Sequence, residues 1–205
     1  MGIKEFWNER YLSDEYAFGE SPNEFLKSVL PSIQPGKILF PAEGEGRNAV
    51  FAATLGWDVF AFDVSEEGKR KADLLAQKNG VAINYIVQSM DEISYPTDSF
   101  DAIALIYAHF NQDVRSSFHK KLSQSLKSGG YVILESFSKD HLPYQSLYPS
   151  VGGPRELSML YSLDDMKNDF NNFSQLELTQ TEVDLNEGIY HVGKGSVIRF
   201  FGKKN

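Results

Sequence analysis

The alternation of short apolar runs with helical stretches between Lys37 and Glu135 constrains the fold of this chain more than any other feature of its sequence. Runs rich in Val, Ile and Phe that alternate with helices are typical of a parallel sheet covered by helices. The pattern predicts strands at residues 37–41, 57–63, 82–87, 100–107 and 130–136. Ser65 and Asn111 can each cap a helix between two of these strands, and Asn79-Gly80 is a typical helix stop.

Two helical segments carry side-chain patterns that predict opposite surroundings, the sheet for one and solvent for the other. After Asn111, the residues Val114, Phe118, Leu122 and Leu126 repeat every four positions, so this stripe is expected to face the sheet. The basic run Lys69-Arg70-Lys71 lies among helix-forming residues, and we expect it to be a solvated helix face.

The last third of the chain has a different pattern. A loop rich in Pro, Gly, Tyr and Ser runs through residues 143–154, and Ser162 followed by Asp165 predicts a capping box. Two final strands, at 175–184 and 195–203, have no helix between them and can pair antiparallel around a long turn at Leu185 to Gly188. The predicted fold is α/β and Rossmann-like, with a seven-stranded, mostly parallel sheet, helices on both faces and an antiparallel last strand.

A glycine-rich turn follows the first predicted strand. Gly44 and Gly46 let the backbone approach a ligand closely, and the next helix exposes its first amides. Asp63 ends the second strand nineteen residues after Gly44, where a carboxylate can accept hydrogen bonds from a ribose diol. Because Gly44-x-Gly46-x-x-Ala49 also fits the dinucleotide fingerprint, an NAD-binding oxidoreductase is an alternative. The lack of a second nucleotide-binding half in 205 residues favours an adenosyl cofactor over NAD.

Composition argues against several classes of binding partner and against a metal site. The chain has 28 acidic and 20 basic side chains, a net charge of -8, and no concentrated basic patch, so nucleic acid is not expected as a partner. It has no cysteine, and its four histidines lack metal-ligand spacing, so no metal is expected. No apolar run reaches membrane-spanning length, and we expect one cytoplasmic domain over residues 1–205, with no membrane partner and an undetermined oligomeric state.

Motifs spread over nearly the whole chain carry a resemblance to a known family. They are Trp7-Asn8-Glu9-Arg10-Tyr11, Phe18-Gly19-Glu20-Ser21-Pro22-Asn23, Gly44-Glu45-Gly46-Arg47-Asn48, Asp63-Val64-Ser65, Ser99-Phe100-Asp101, Leu126-Lys127-Ser128-Gly129-Gly130-Tyr131, Gly152-Gly153-Pro154 and Leu185-Asn186-Glu187-Gly188. In their order and spacing the chain resembles the class I S-adenosylmethionine (SAM)-dependent methyltransferases. Within that family it is similar to the small branch of tellurite-resistance and thiopurine methyltransferase-like proteins.

The resemblance implies SAM as the cofactor and an N-terminal lid, residues 1–23, over a core of residues 37–205. It places the glycine turn beneath the methionine part of SAM, Asp63 at the ribose, Ser89 and Met90 beside the adenine, and Arg10 at the carboxylate. The residues that it implies for cofactor binding are Trp7, Arg10, Gly19, Glu43, Gly44, Gly46, Asn48, Asp63, Val64, Ser89, Met90 and Tyr107.

The sequence departs from the family pattern at two acids. Phe40 and Ala42 stand where the first strand and its turn usually carry an acid, for which Glu43 or Glu45 can substitute. Ser89 stands where an acid usually ends the third strand, a role open to Asp91 or to a backbone carbonyl. These departures motivate a second alternative, a non-catalytic SAM-binding regulatory module.

The site for the methyl acceptor is expected beyond the same edge of the sheet as the glycine turn. His109 follows the fourth strand, while Glu187 and His191 flank the closing turn, and these three are the candidate catalytic residues. A base is needed for an alcohol or amine acceptor but not for a soft or anionic one. We expect an unidentified small-molecule acceptor to bind between His109, the loop from Pro143 to Arg155 and the turn, with Arg155 as an anchor for an anion.

Overall fold

The computed structural model describes residues 2–205 and contains one seven-stranded sheet. In chain order the strands are β1 (Lys37–Pro41), β2 (Asp58–Asp63), β3 (Asn84–Val87), β4 (Phe100–Ile106), β5 (Leu126–Phe137), β6 (Phe173–Glu187) and β7 (His191–Lys204). Across the sheet they lie in the order β3-β2-β1-β4-β5-β7-β6. The first five strands pair in parallel, whereas β7 runs antiparallel to both β5 and β6. The predicted Rossmann-like sheet with an antiparallel last strand is confirmed.

Helices cover both faces of the sheet. Over residues 2–205 they are α1 (Ile3–Tyr11), α2 (Glu24–Val29), α3 (Arg47–Thr54), α4 (Glu66–Lys78), α5 (Gln112–Ser125), α6 (Leu142–Leu147) and α7 (Leu163–Asp169). Ile38 and Leu39 on β1 show the division, because successive strand residues point to opposite faces. Ile38 packs in a core with α2, α3 and α4, and Leu39 in a second core with α5 and α7.

The predicted helix caps are confirmed. The Ser65 hydroxyl accepts the amide hydrogen of Gly68 at the start of α4, and the Asn111 side chain caps α5. Ser162 and Asp165 form a reciprocal capping box at the start of α7. These local signals therefore place the first turns of three helices correctly.

Four details of the fold differ from the prediction. The loop predicted over residues 143–154 begins with the helix α6 (Leu142–Leu147). Val114 on α5 is 40% exposed, so the stripe that faces the sheet is narrower than expected. Leu126 already belongs to β5, where it pairs with Phe100 across an irregularity of the ladder. The β6–β7 ladder continues to Glu187 and His191, which leaves Gly188-Ile189-Tyr190 as a short connection instead of a long turn. We call residues 187–191 the hairpin tip.

Within residues 2–205, every helix is too short or too polar to cross a membrane.

Candidate active site

The turn after β1 brings the backbone into close contact with neighbouring helices at two glycines. Gly44 and Gly46 have φ angles of 64° and 87°, in the left-handed region that favours glycine. A Cβ atom on Gly46 would lie 2.5 Å from Cβ of Ala72, and one on Gly44 would lie 2.6 Å from the Tyr11 hydroxyl. Side chains at these positions would therefore push α4 or α1 away from the turn. Ala42 adopts a φ of 52°, at a cost of about 1 to 2 kcal/mol for a residue with a Cβ atom.

Asp63 ends β2 directly beside this turn. Its Oδ2 accepts the amide hydrogen of Gly44 at 3.1 Å, and its Oδ1 accepts that of Ser65 at 2.9 Å. Burial nevertheless raises the pKa of the carboxyl group to about 6. Each carboxylate oxygen keeps a further lone pair, so Asp63 can still accept hydrogen bonds from a diol.

The two acids that can substitute for the missing first-strand acid make different contacts. Glu43 Oε1 accepts the amide hydrogens of Asn48 and Ala49 at 3.0 and 2.8 Å, at the start of α3. Burial raises the pKa of Glu43 to about 7. Glu45 lies 2.6 Å from the ammonium of Lys71, and both side chains are 3% exposed. Because Glu43 Oε2 makes no hydrogen bond within residues 2–205, Glu43 is the acid that can still face a ligand cation.

The buried position of Lys71 corrects one prediction. Lys69 and Arg70 keep their side chains 35% and 47% exposed and pair with acids on α4, as a solvated face requires. Successive helical residues lie about 100° apart, so three in a row cannot share one face. The predicted solvated face is therefore wrong for Lys71.

Residues 12–23, which we call the strap, connect α1 to α2. The backbone amide of Asn23 donates to Oδ1 of Asn48 at 2.9 Å, and its side-chain amide donates to Glu135 at 2.6 Å. The Asn23 Oδ1 atom caps α2. The side-chain oxygen of Asn48, which is predicted as a cofactor residue, thus binds the end of the strap.

Aromatic rings from α1 and the strap meet the hairpin tip. Trp7 stacks on Tyr11 at a ring distance of 5.4 Å, and Phe18 lies 4.5 Å from the ring of His191. Gly19 has a φ of 74°, and a Cβ atom there would lie 3.1 Å from the amide nitrogen of Gly188. The predicted cofactor residues Trp7 and Gly19 are therefore parts of the contact that joins α1 and the strap to the hairpin tip.

Arg10 lies on the same contact. Its guanidinium sits 3.9 Å above the ring of Tyr190 and 5.2 Å from that of Phe6. It forms no ion pair with a described residue. Arg10 is thus held in place by an aromatic ring while its charge is left for an anionic group such as a carboxylate.

The predicted adenine-side residues lie on the loops after β2 and β3. Val64 and Ser89 are partly exposed, whereas Met90 is 7% exposed and belongs to the apolar core. The backbone carbonyls of Met90 and Asp91 both accept hydrogen bonds from Lys121 at 3.1 Å. These contacts fix the loop after β3, on which Ser89 is partly exposed and Asp91 is exposed.

A buried carboxylate on β5 organises the strand ends, and sequence reasoning missed it. Glu135 is 1% exposed and accepts hydrogen bonds from the Tyr107 hydroxyl at 2.9 Å, from Asn23 and from Arg199 at 2.6 Å. Tyr107 has a φ of 53°, a strained conformation that clusters at functional sites. The available signal was a glutamate inside the apolar run from Tyr131 to Phe137.

Three histidines surround the ring of Phe137, at centroid distances of 5.7, 3.9 and 5.3 Å for His109, His141 and His191. His109 Nδ1 donates to the carbonyl of Met159 at 2.8 Å, and its Nε2 accepts the Phe137 amide hydrogen at 3.3 Å. Burial lowers the pKa of His109 to about 3. His141 likewise uses both ring nitrogens on backbone groups. His109, the predicted substrate contact, therefore has no free ring nitrogen.

His191 is oriented differently. Its Nδ1 lies 2.9 Å from Glu187, whose carboxylate lies 3.0 Å from the guanidinium of Arg47. The hydrogen bond from His191 and the charge of Arg47 lower the pKa of Glu187 to about 2 although burial opposes them. Glu187 thus stays ionised and fixes the proton of His191 on Nδ1, while Nε2 makes no hydrogen bond within residues 2–205.

Taken together, these residues fit an adenosyl cofactor. The turn has glycines where a Cβ atom would collide, a buried carboxylate at the end of β2 keeps acceptor capacity, and Arg10 is a cation with no carboxylate partner in residues 2–205. No group of histidine, aspartate and glutamate in the described residues could hold a metal ion.

The known sequences that the chain resembles agree with an adenosyl cofactor. A family model described as a methyltransferase domain matches residues 38–130. The probable SAM-dependent methyltransferase TehB of Haemophilus influenzae is 22% identical over 182 residues, which covers 87% of this chain and 60% of that protein. The ubiquinone/menaquinone biosynthesis C-methyltransferase UbiE of Geotalea daltonii is 28% identical over 201 residues, covering 88% and 84%. The chain spans 42 to 60% of the length of four curated relatives that it matches.

Solved structures share the fold. The TehB structure from H. influenzae superposes with a TM-score of 0.71 at 18% identity, covering 98% of this chain and 67% of that one. The magnesium protoporphyrin IX methyltransferase of Synechocystis, solved with bound S-adenosylhomocysteine (SAH), gives 0.70 at 15% identity over 99% and 98%. The domain match and these relatives support a SAM-dependent methyltransferase, and the solved structures show that the chain has the fold of that class.

Proposed function

We propose that this protein transfers the methyl group of SAM to a small-molecule acceptor bound beside the hairpin tip. The observation that carries the proposal is the position of Arg47. This residue begins the helix that follows the glycine turn, and its guanidinium pairs with Glu187, which in turn holds His191. Arg47 and Glu187 therefore join the cofactor turn to a histidine that has a free ring nitrogen.

The cofactor side uses the residues around the turn. Gly44 and Gly46 would lie beneath the methionine part, Asp63 would accept hydrogen bonds from the ribose, and Arg10 would pair with the carboxylate. Val64, Ser89 and Met90 would border the adenine, and Trp7, Gly19 and Tyr107 would close the site. When bound, SAM supplies an electrophilic methyl group on a sulfonium centre.

The acceptor side uses the hairpin tip. Displacement at the methyl carbon requires an in-line nucleophile and the exclusion of water. An acceptor O–H, N–H or S–H group would lose its proton to Nε2 of His191 as it takes up the methyl group supplied by SAM. An already anionic acceptor has no proton to lose, and His191 then serves only to orient it.

The segment between β5 and α7, which contains α6, lies against this histidine. A Cβ atom on Gly152 would lie 3.2 Å from Nε2 of His191, and the side chain of Gln145 donates to the carbonyls of Gly152 and Gly153 at 2.9 and 3.0 Å. The acceptor site expected between this loop and the hairpin tip is thus a place where two elements already meet. Arg155 is exposed, and its role as an anchor for an anionic acceptor stays a prediction.

Two alternatives make different predictions. An NAD-binding oxidoreductase would bind NAD at the glycine turn, and a regulatory module would bind SAM without turnover. The antiparallel β6–β7 pair beside β5 and the methyltransferase relatives favour methyl transfer over an NAD-binding oxidoreductase, and turnover separates it from a regulatory module. The cytoplasmic location and the absence of nucleic-acid and membrane partners stay predictions from composition.

Calorimetric titration with SAM, SAH and NAD in parallel tests the cofactor. We expect micromolar SAH binding and no NAD binding. Asp63→Ala should weaken SAH binding by about 1.5 to 3 kcal/mol, the scale of hydrogen bonds to a charged group. Asp58→Ala, at the exposed first residue of the same strand, is the matched control. NAD binding, or equal SAH affinity in both variants, would contradict this assignment.

Release of SAH in the presence of a pool of small acceptors tests turnover. His191→Ala should leave SAH affinity nearly intact and lower methylation of whichever acceptor is found. Loss of SAH affinity with unchanged acceptor saturation would place His191 in the cofactor pocket, and SAM binding without turnover on any acceptor would favour the regulatory module.

A further inference from the structure

Lys71 has an unusual set of contacts for a lysine. Its side chain is 3% exposed, and its ammonium donates to the backbone carbonyls of Ser13 and Glu15, each at 2.7 Å. The third contact is Glu45, at 2.6 Å, in the glycine turn. The two carbonyls accept two of the three ammonium hydrogens, and Glu45 supplies the counter-charge as an ion pair. Lys71 thus joins helix α4, the strap and the glycine turn through one buried charge.

Tyr16 closes this contact from the strap. Its ring lies 4.6 Å from the ammonium of Lys71, and its hydroxyl donates to the backbone carbonyl of Lys71 at 3.0 Å. Ser13, Asp14 and Glu15 have exposed side chains, so burial of their own side chains does not hold this part of the strap. Its position depends on the bonds that its backbone makes to Lys71.

Glu45 depends equally on Lys71. Both of its carboxylate oxygens are buried and have no hydrogen-bond partner in residues 2–205. A buried carboxylate without a partner is costly, and the neighbouring ammonium is the group that offsets this cost. The conformation of the turn between Gly44 and Gly46 is therefore linked to the position of the strap.

The other side of the strap meets the hairpin tip. The carbonyl of Ala17 accepts the amide hydrogens of Ile189 and Tyr190 at 3.0 and 3.3 Å. Tyr190 in turn carries the guanidinium of Arg10 on its ring. The strap is thus fixed between Lys71 on one side and the hairpin tip on the other.

We infer that Lys71 is a positioning residue for the cofactor site, which holds the strap against the glycine turn without contacting the cofactor itself. The inference rests on the proposed function, because it assigns the cofactor to that turn. Without the Lys71 ammonium the strap loses two backbone bonds and the turn loses its counter-charge. Cofactor affinity then falls although every residue expected to contact the cofactor is unchanged.

Hydrogen exchange without any ligand tests the first half of this inference. In Lys71→Met, amides of residues 12–19 should exchange at least tenfold faster than in the unaltered protein, while the amides of β1 and β4 keep their protection. Lys69→Met is the matched control on the same helix, because the Lys69 side chain points to solvent and should leave the strap unchanged. The double variant Glu45→Gln/Lys71→Met removes both buried charges and keeps the test valid if the single variant does not fold.

Calorimetry with SAH tests the second half. The dissociation constant should rise about tenfold in the folded Lys71 variants and stay unchanged in Lys69→Met. Unchanged strap exchange or unchanged SAH affinity in a folded Lys71 variant would overturn the inference. Failure of the unaltered protein to bind SAH contradicts the proposed function instead, so the two failures can be told apart.

Discussion

At the scale of single residues, the site is notable for carboxyl groups whose pKa values are raised by burial. Glu43 and Asp63 flank the glycine turn and have pKa values of about 7 and 6. Backbone amides donate to both groups, which lowers the pKa values but does not outweigh the loss of water. Two carboxyl groups with pKa values close to neutral pH therefore lie where a ligand is expected.

Glu43→Gln should change how stability depends on pH. The unfolded carboxyl group loses its proton near pH 4.5, whereas the folded one keeps it until about pH 7. The contribution of Glu43 to the free energy of unfolding is thus full below pH 4.5 and is lost as pH rises through 7. Glutamine does not titrate, and its carbonyl oxygen can still accept from the amides of Asn48 and Ala49.

Urea denaturation of both proteins at pH 5 and pH 8 measures this difference. From pH 5 to pH 8 the free energy of unfolding should fall less in the variant than in the unaltered protein. Only the unaltered protein ionises a buried carboxyl group over this range. Glu156→Gln, at an exposed position, should show no such gain. A constant difference across this pH range would mean that Glu43 is not the group that titrates.

Sequence reasoning located some residues of the site but not their partners. Gly44, Gly46 and Asp63 follow from a local pattern of strand, turn and acid, which the structure places together. Lys71 and Glu135 do not, since each becomes buried only because a segment distant in sequence covers it. Local charge patterns carry no information about such long-range contacts, so the basic run on α4 predicts a solvated face that the structure does not show at Lys71.

At the scale of elements, two glycines allow the strap and the hairpin tip to touch. Gly188 has a φ of 61°, and a Cβ atom there would lie 2.4 Å from the carbonyl oxygen of Ala17 and 2.5 Å from the amide nitrogen of Gly19. Both of these neighbours are backbone atoms, which cannot rotate away as a side chain can. The closeness of the two elements therefore depends on the absence of a side chain at this position.

Gly188→Ala should separate the strap from the hairpin tip. Amides of residues 16–19 and 189–190 should exchange faster, and SAH affinity should fall because Arg10 loses the ring that holds it. Gly80→Ala is the matched control, since Gly80 has a similar φ of 67° but nothing within 4 Å of the added Cβ atom. Both variants carry the same backbone strain, so an equal effect of the two on strap exchange would show that the collision does not matter.

At the scale of the whole molecule, the period of the apolar runs was sufficient to predict the sheet. The five parallel strands and the antiparallel pair lie where their patterns indicated, because each pattern reflects burial within a single strand. The length of the hairpin was not predictable in this way. Asn186 and Glu187 look like turn residues in sequence, yet they continue the ladder to Val192 and His191 because Glu187 is neutralised by Arg47.

Phe200→Ala tests whether the antiparallel pair is part of the main cooperative unit. Phe200 is fully buried on β7, pairs with Leu134 on β5 and Leu178 on β6, and stacks on Phe170 at 4.8 Å. Its removal should cost about 3 to 5 kcal/mol, with a single denaturation transition. The control Phe201→Ala, on the partly exposed opposite face, should cost less, and two separate transitions would indicate that β6 and β7 unfold independently.

The place of β7 between β5 and the edge strand β6 also has a consequence for biosynthesis. β6 pairs only with β7, and β7 is translated after every other strand of the sheet. Until residues up to Lys204 have left the ribosome, one edge of β5 and both edges of β6 therefore stay unpaired. Such edges favour wrong association between nascent chains. The exposure of these edges to aggregation therefore lasts until β7 has been made, and slowing the synthesis of β7 prolongs it.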